Sequence, residues 1–144
     1  MMLIIYSALF IANLLAPNEL TQNVEVRVTG IRNNKGSIII SVFKNQASFE
    51  KEKPFLSKKF DKKEMHNEQL IAKFYLEEGI YGFALLDDEN NDAKMEYSFL
   101  GIPQEGFGFS NYYHSGFTKP KFETFKLEIN KQIINKSTMK IRYM

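Results

Sequence analysis

Oxygen-bearing side chains recur at alternate positions in the run Asp88-Glu89-Asn90-Asn91-Asp92-Ala93-Lys94-Met95-Glu96. Asp88, Asn90, Asp92 and Glu96, with the Lys94 main-chain carbonyl filling the gap, match the first nine positions of an EF-hand loop. Hard cations such as calcium are held by several such oxygens around a tight turn. Two departures weaken the match: Ala93 stands in the place of the turn-easing glycine, and Phe99 stands where a bidentate glutamate is needed. The same residues also suit a solvated acidic turn whose Asp and Asn side chains cap nearby backbone groups. A calcium site here is expected to be weak, roughly 10⁻⁴ to 10⁻³ M, as in extracellular modules.

The second chemical candidate follows directly, in the segment from Leu100 to Tyr113, LGIPQEGFGFSNYY. Phe107, Phe109, Asn111 and Tyr112 lie among glycines that allow a ligand or a neighbouring backbone to approach closely, which suits a binding face for a protein, peptide or glycan. The competing arrangement is a long loop folded over the edge of the domain, its aromatics plugging the end of the core. Catalysis is poorly served. Ser110 and His114 can be drawn with Asp87, Asp88 or Asp92 as a hydrolase triad, but no nucleophile-elbow glycines frame Ser110. His66 lies in a charged turn, and two histidines without any cysteine leave zinc short of ligands. Asp87 and Asp88 are adjacent, so on an extended strand they point to opposite faces and form no acid–base pair. The expected function is therefore a non-catalytic binding or accessory module using residues 88–113, with calcium on the acidic loop as a candidate stabiliser and a hydrolase using Ser110 and His114 as the alternative.

The elements that must position these residues read as strands. Val24, Val26 and Val28 alternate with polar residues, and Asn33-Asn34-Lys35-Gly36 supplies a turn that is expected to close a hairpin onto Ser37–Lys44, whose apolar character on both faces marks a central strand. Residues 45–59 are charged and broken by Pro54, with a helical turn near 48–53 and an edge strand over 56–62. Lys58, Lys59, Lys62 and Lys63 there read as a solvated edge that discourages aggregation. Residues 69–76 alternate again, and 80–87 are apolar on both faces. The segment 88–121 is a long loop after this fifth strand, followed by strands over 125–130 and 139–143. The fold class is all-β: an antiparallel β-sandwich of about seven strands in a single domain over 23–144.

Composition agrees and narrows the functional classes. Aromatics make up 14% of the 144 residues, with 13 Phe, 7 Tyr and no Trp. Nineteen basic and 17 acidic residues leave a net charge of +2, interspersed along the chain, so no field for nucleic acid arises. No cysteine is present, which removes disulfides and thiolate chemistry. Residues 1–16, MMLIIYSALFIANLLA, are too short an apolar run to span a bilayer comfortably and suit a secretory signal peptide over 1–22. A packed N-terminal element and an uncleaved anchor are the alternatives. Export to the periplasm or the cell surface is expected, with no stable membrane span after cleavage.

In motif order, VEVRVTGIRNNKGSIIISVF, then LEEGIYGFALLDDENNDAKMEYSFLGIPQEGFGFSN, then KPKFETFKLEI, the chain resembles the bacterial DUF2141 family of small exported proteins. The likeness covers most of residues 24–130, and GIPQEGFGFSN is its most specific part. It implies a transthyretin-like or Ig-like sandwich. It implies no reaction, cofactor or partner.

Overall fold

The computed structural model describes residues 21–144. The apolar run at 1–16 lies outside the described residues, as does the signal peptide expected over 1–22 apart from its last two positions. Among the described residues, eight strands form two sheets. The smaller contains β1 (Val24–Thr29), β4 (Leu70–Phe74) and β8 (Asn135–Lys140) in the order β4-β1-β8. The larger runs β3 (Leu56–Asp61), β2 (Ser37–Phe43), β5 (Gly79–Asp88) and β6 (Gly106–Phe109), with β7 (Lys126–Ile129) also on β5. Two short helices, α1 (Gln46–Glu50) and α2 (Phe122–Phe125), lie beside the larger sheet.

The all-β sandwich read from periodicity holds. Val24, Val26 and Val28 of β1 meet Ile38, Ile40 and Val42 of β2 and Phe83 and Leu85 of β5 in one core between the sheets, all nearly inaccessible to water. Burial of these branched side chains contributes about 1.5–3 kcal/mol each. Several local expectations are corrected. β1 and β2 are not hairpin neighbours: β1 pairs antiparallel with β4 and parallel with β8, while β2 pairs with β3 and β5. Both strands carry strongly apolar faces, and stacking them buries those faces, whereas placing them side by side would not. The turn between them instead crosses from sheet to sheet. Gly36 makes that crossing tight: at φ +72, a Cβ on it would lie 2.0 Å from the Asp88 carbonyl oxygen.

The β1–β8 pairing also makes the sandwich mixed rather than wholly antiparallel. The last strand lies over 135–140 instead of 139–143, and a strand, β6, lies inside the expected loop. β6 and β7 share one edge of β5: residues 84–87 pair with β6 and residues 79–82 with β7. Ser110 closes the gap between them. Its hydroxyl donates to the Phe125 carbonyl at 2.5 Å and accepts from the Phe83 N–H at 3.0 Å, and its own N–H donates to the Phe83 carbonyl.

Lys62 is a further correction, because it is buried instead of belonging to a solvated lysine edge. It follows β3 in a 3₁₀ turn over Lys62–Glu64, and its ammonium forms an ion pair with the fully buried Asp87. Asn33 Oδ1 accepts from it at 3.3 Å, and the Tyr143 hydroxyl donates to the other Asp87 oxygen at 2.5 Å. Burial, reinforced by Asp87, holds the Tyr143 phenol well above its usual range.

Candidate functional site

β5 ends on Asp87 and Asp88, and the alternation of the strand sends their side chains opposite ways. Asp87 enters the buried ion pair. Asp88 organises the acidic loop: its Oδ1 accepts from the Asp92 N–H at 3.1 Å and its Oδ2 from the Ala93 N–H at 3.0 Å. Asp92 in turn accepts from the Lys94 N–H at 2.9 Å. The Asn90 amide donates to Asp92 and, at 3.0 Å, to Glu96. Ala93 adopts φ 60, the left-handed conformation for which glycine is favoured at this position of a cation loop, so alanine takes the turn despite its Cβ.

Residues 96–104 then fold back as a small hairpin. The Gln104 N–H donates to the Glu96 carbonyl, the Ser98 N–H to the Ile102 carbonyl, and Tyr97 bridges to Pro103. Its return arm delivers Glu105 to the acidic loop. Glu105 is 6% exposed, and neither of its carboxylate oxygens has a hydrogen-bond partner. One oxygen each of Asp88, Asp92 and Glu105 lie within 4.8 Å of one another. Burial, followed by the charges of Asp88, Asp92 and Glu96, pushes the Glu105 carboxyl up to about 7, against a smaller lowering by the nearby Glu96 N–H, which is not placed to form a full hydrogen bond. Asp92 moves the other way, held down chiefly by the Lys94 N–H.

Of the residues expected to bind metal, the fold therefore gathers Asp88 and Asp92, ties Asn90 and Glu96 to them, and uses the Lys94 N–H on Asp92. Sequence reasoning missed Glu105 because it lies outside the window of a twelve-residue loop. An acid between Gln104 and Gly106, in an otherwise apolar and glycine-rich segment, was the available signal.

The second candidate face lies on the outside of the larger sheet. Phe107 and Phe109 point there, nearly buried, and join Phe43, Phe49, Phe122 and Phe125 in a separate aromatic cluster. Phe49 meets Phe125 edge-on at 5.0 Å and Phe109 at 6.0 Å. Gly82 admits the cluster, since a Cβ there would fall 2.5 Å from the Phe125 ring. Beside it runs a groove of about 840 Å³, floored by Ile39, Leu86 and Phe107 and walled by Met95, Tyr97 and Phe117. Tyr97 is 53% and Phe117 82% exposed at its lip. The 96–104 hairpin forms one wall. Its tip carries Phe99 and Leu100, 97% and 70% exposed.

Arg142 secures the opposite wall by donating to the carbonyls of His114 and Gly116 at 2.8 and 2.7 Å. Asn111, at φ 50, accepts from the Ser137 hydroxyl and the Thr138 N–H and so ties the end of β6 to β8. The Tyr112 hydroxyl meets His114 Nδ1 at 3.4 Å. His114 Nε2 is engaged by the Thr118 carbonyl, and Ser110 has only backbone partners, so no hydrogen bond joins Ser110 to His114.

The DUF2141 family, described as uncharacterized proteins conserved in bacteria, matches residues 26–136. The chain belongs to the DUF2141 family. Neither a curated protein nor a solved structure matches it. Within this DUF2141 protein the matched span takes in the acidic loop, Glu105, the groove floor and both groove walls. Among the described residues no helix is long and apolar enough to cross a membrane.

Proposed function

We propose that this DUF2141 protein is an exported, non-catalytic binding module that docks an apolar segment of a partner protein in the groove on the outer face of its larger sheet. The observation that carries this reading is a groove lined by Ile39, Leu86 and Phe107 with Tyr97 and Phe117 exposed at its edge, beside a hairpin whose Phe99 and Leu100 are also exposed. A groove of about 840 Å³ is of a size to accept a small ligand, but no small ligand inside it would cover Phe99 and Leu100. A polypeptide can extend beyond the groove to other exposed apolar residues in a way that a small ligand cannot. Met95, adaptable in shape, and the aromatic lip are residue types enriched where proteins bind apolar segments. Lys59 and Lys94 on the rim favour acidic residues flanking that segment, since Glu52, also on the rim, is already paired with Lys119. Export accords with the apolar run at 1–16.

The test is selection from a displayed peptide library on the purified protein, followed by titration of the enriched peptides. Phe117→Ala and Tyr97→Ala alter exposed side chains, so the melting temperature should stay within about 2 °C of the wild type. Affinity for an apolar, acid-flanked peptide should fall at least tenfold, as for aromatic anchors in other interfaces. Enrichment of no apolar peptide, or affinities indifferent to both substitutions, would overturn the reading, as would a glycan that binds where no peptide does.

A further inference from the structure

Three carboxylates converge where the acidic loop meets the base of the hairpin. Asp88 and Glu105 are buried, and Asp92 is exposed at the mouth. No ion pair among the described residues includes any of the three. The decisive group is Glu105, 6% exposed with both oxygens unpartnered, since a buried charge without a partner is strongly disfavoured. It comes from outside the loop, so the loop's own turn chemistry does not explain its presence. Held apart in sequence by the hairpin, it arrives with its carboxylate aimed at Asp88 and Asp92.

We propose that Asp88, Asp92 and Glu105 bind a calcium ion, with Glu105 supplying the acidic ligand that position 99 lacks. The donors are all oxygen, which selects a hard cation over zinc or copper. Calcium–oxygen distances of about 2.3–2.6 Å let two ligands of one ion stand up to about 5 Å apart, and the three oxygens lie within 4.8 Å of one another. Calcium accepts six to eight ligands in irregular arrangement, and Asn90 and Glu96 stand beside the cluster to add to it. Magnesium demands near-ideal octahedral geometry and suits this mixed, loop-built set less well. The ion would join the acidic loop to the return arm of the hairpin that walls the groove. The proposal does not depend on what the groove binds, because calcium alone is the probe.

Isothermal titration with calcium chloride at pH 8 and melts of the full chain in 10 mM calcium or in chelator test it. A dissociation constant at or below about 1 mM and a rise in melting temperature of about 5 °C are expected. Glu105→Gln should weaken calcium binding at least tenfold while melting in chelator no lower than the wild type, since the amide can donate to Asp88 and Asp92. Asp92→Asn, on an exposed residue, should weaken binding by a similar factor if the first variant fails to fold. A wild type indifferent to 10 mM calcium would overturn the site. Calcium affinity kept within twofold in both variants would do the same, and a magnesium response equal to that of calcium would remove the calcium assignment.

Discussion

Asp87, Asp88 and Glu89 are consecutive acids with three different surroundings. Asp87 points into the fold and meets the buried ammonium of Lys62, the pair supported by Asn33 and Tyr143. Asp88 points the other way, into a cluster with Asp92 and Glu105, none of which forms an ion pair among the described residues. Glu89 lies near the surface and takes a two-pronged bond from Arg32, at 2.6 and 3.1 Å. A buried carboxylate is tolerated when its partners are built in, and Asp87 meets that condition within the chain. Asp88 meets it through the Asp92 and Ala93 N–H groups, whereas Glu105, with neither oxygen hydrogen-bonded, leaves it to a proton or to the proposed metal.

The largest effect should come from breaking the built-in pair. Lys62→Met strands Asp87 in the core and should cost about 3–5 kcal/mol, a loss of more than about 10 °C in a thermal melt. Adding Asp87→Leu should recover part of that loss, because the desolvated charge goes with it. A single Lys62→Met variant melting within 2 °C of the wild type would show the pair to be dispensable.

The cluster should respond in the opposite sense. Burial and neighbouring acids raise the folded-state value of Glu105 from 4.5 to about 7, so folding favours its protonated form. That contribution is complete below about pH 4.5 and is lost as pH rises to about 7, a change of about 1–3 kcal/mol in chelator. Asp88, Asp92 and Glu96 face this group and supply the repulsion. Glu89 and Asp92, both held below their usual values, act in the opposite direction and only under more acidic conditions. Denaturant titrations in chelator from pH 4 to pH 8 should therefore show a decline that Glu105→Gln abolishes. A decline of equal size in the variant would place its origin elsewhere.

The surface pair should matter least. Arg32→Ala removes a guanidinium that is 48% exposed, and solvent screening limits the loss to about 1 kcal/mol even though the same group stacks over Tyr143. Raising salt to 1 M should shrink that difference further while leaving the Lys62→Met penalty almost intact, because only the exposed pair is screened. Equal salt sensitivity in the two variants would erase the distinction between buried and exposed partners.

Legibility in the sequence followed the strength of the periodic signal. β1, β2, β4 and β5 carry branched or aromatic residues in alternation or in two-faced apolar runs, and each is found within a few residues of its expected bounds. β6 was hidden because Gly106-Phe107-Gly108-Phe109 is four residues long and half glycine, a weak strand former that pairs only because β5 offers it an edge. β8 was displaced because NKSTMK places only Ser137 and Met139 inward, while the residues after it alternate more clearly. Asn33–Gly36 has the chemistry of a hairpin turn, yet it serves a crossing between sheets. The candidate residues divide in the same way: Asp88, Asn90, Asp92 and Glu96 could be named from spacing, whereas Glu105 and Lys62 could not.

The amino-acid sequence by itself determined the all-β class, the buried identity of most strands, the acidic loop after β5 and the family to which the chain belongs. Those properties are local, set by alternation, turn residues and motif order within a few positions of one another. Tertiary structure alone decided which sheet each strand joined, that Lys62 lies opposite Asp87, and that Glu105 returns to Asp88 across the hairpin. These are contacts between segments distant along the chain, chosen by which apolar faces can be buried together and by where a buried charge finds its counterpart, and no pattern within one segment encodes them.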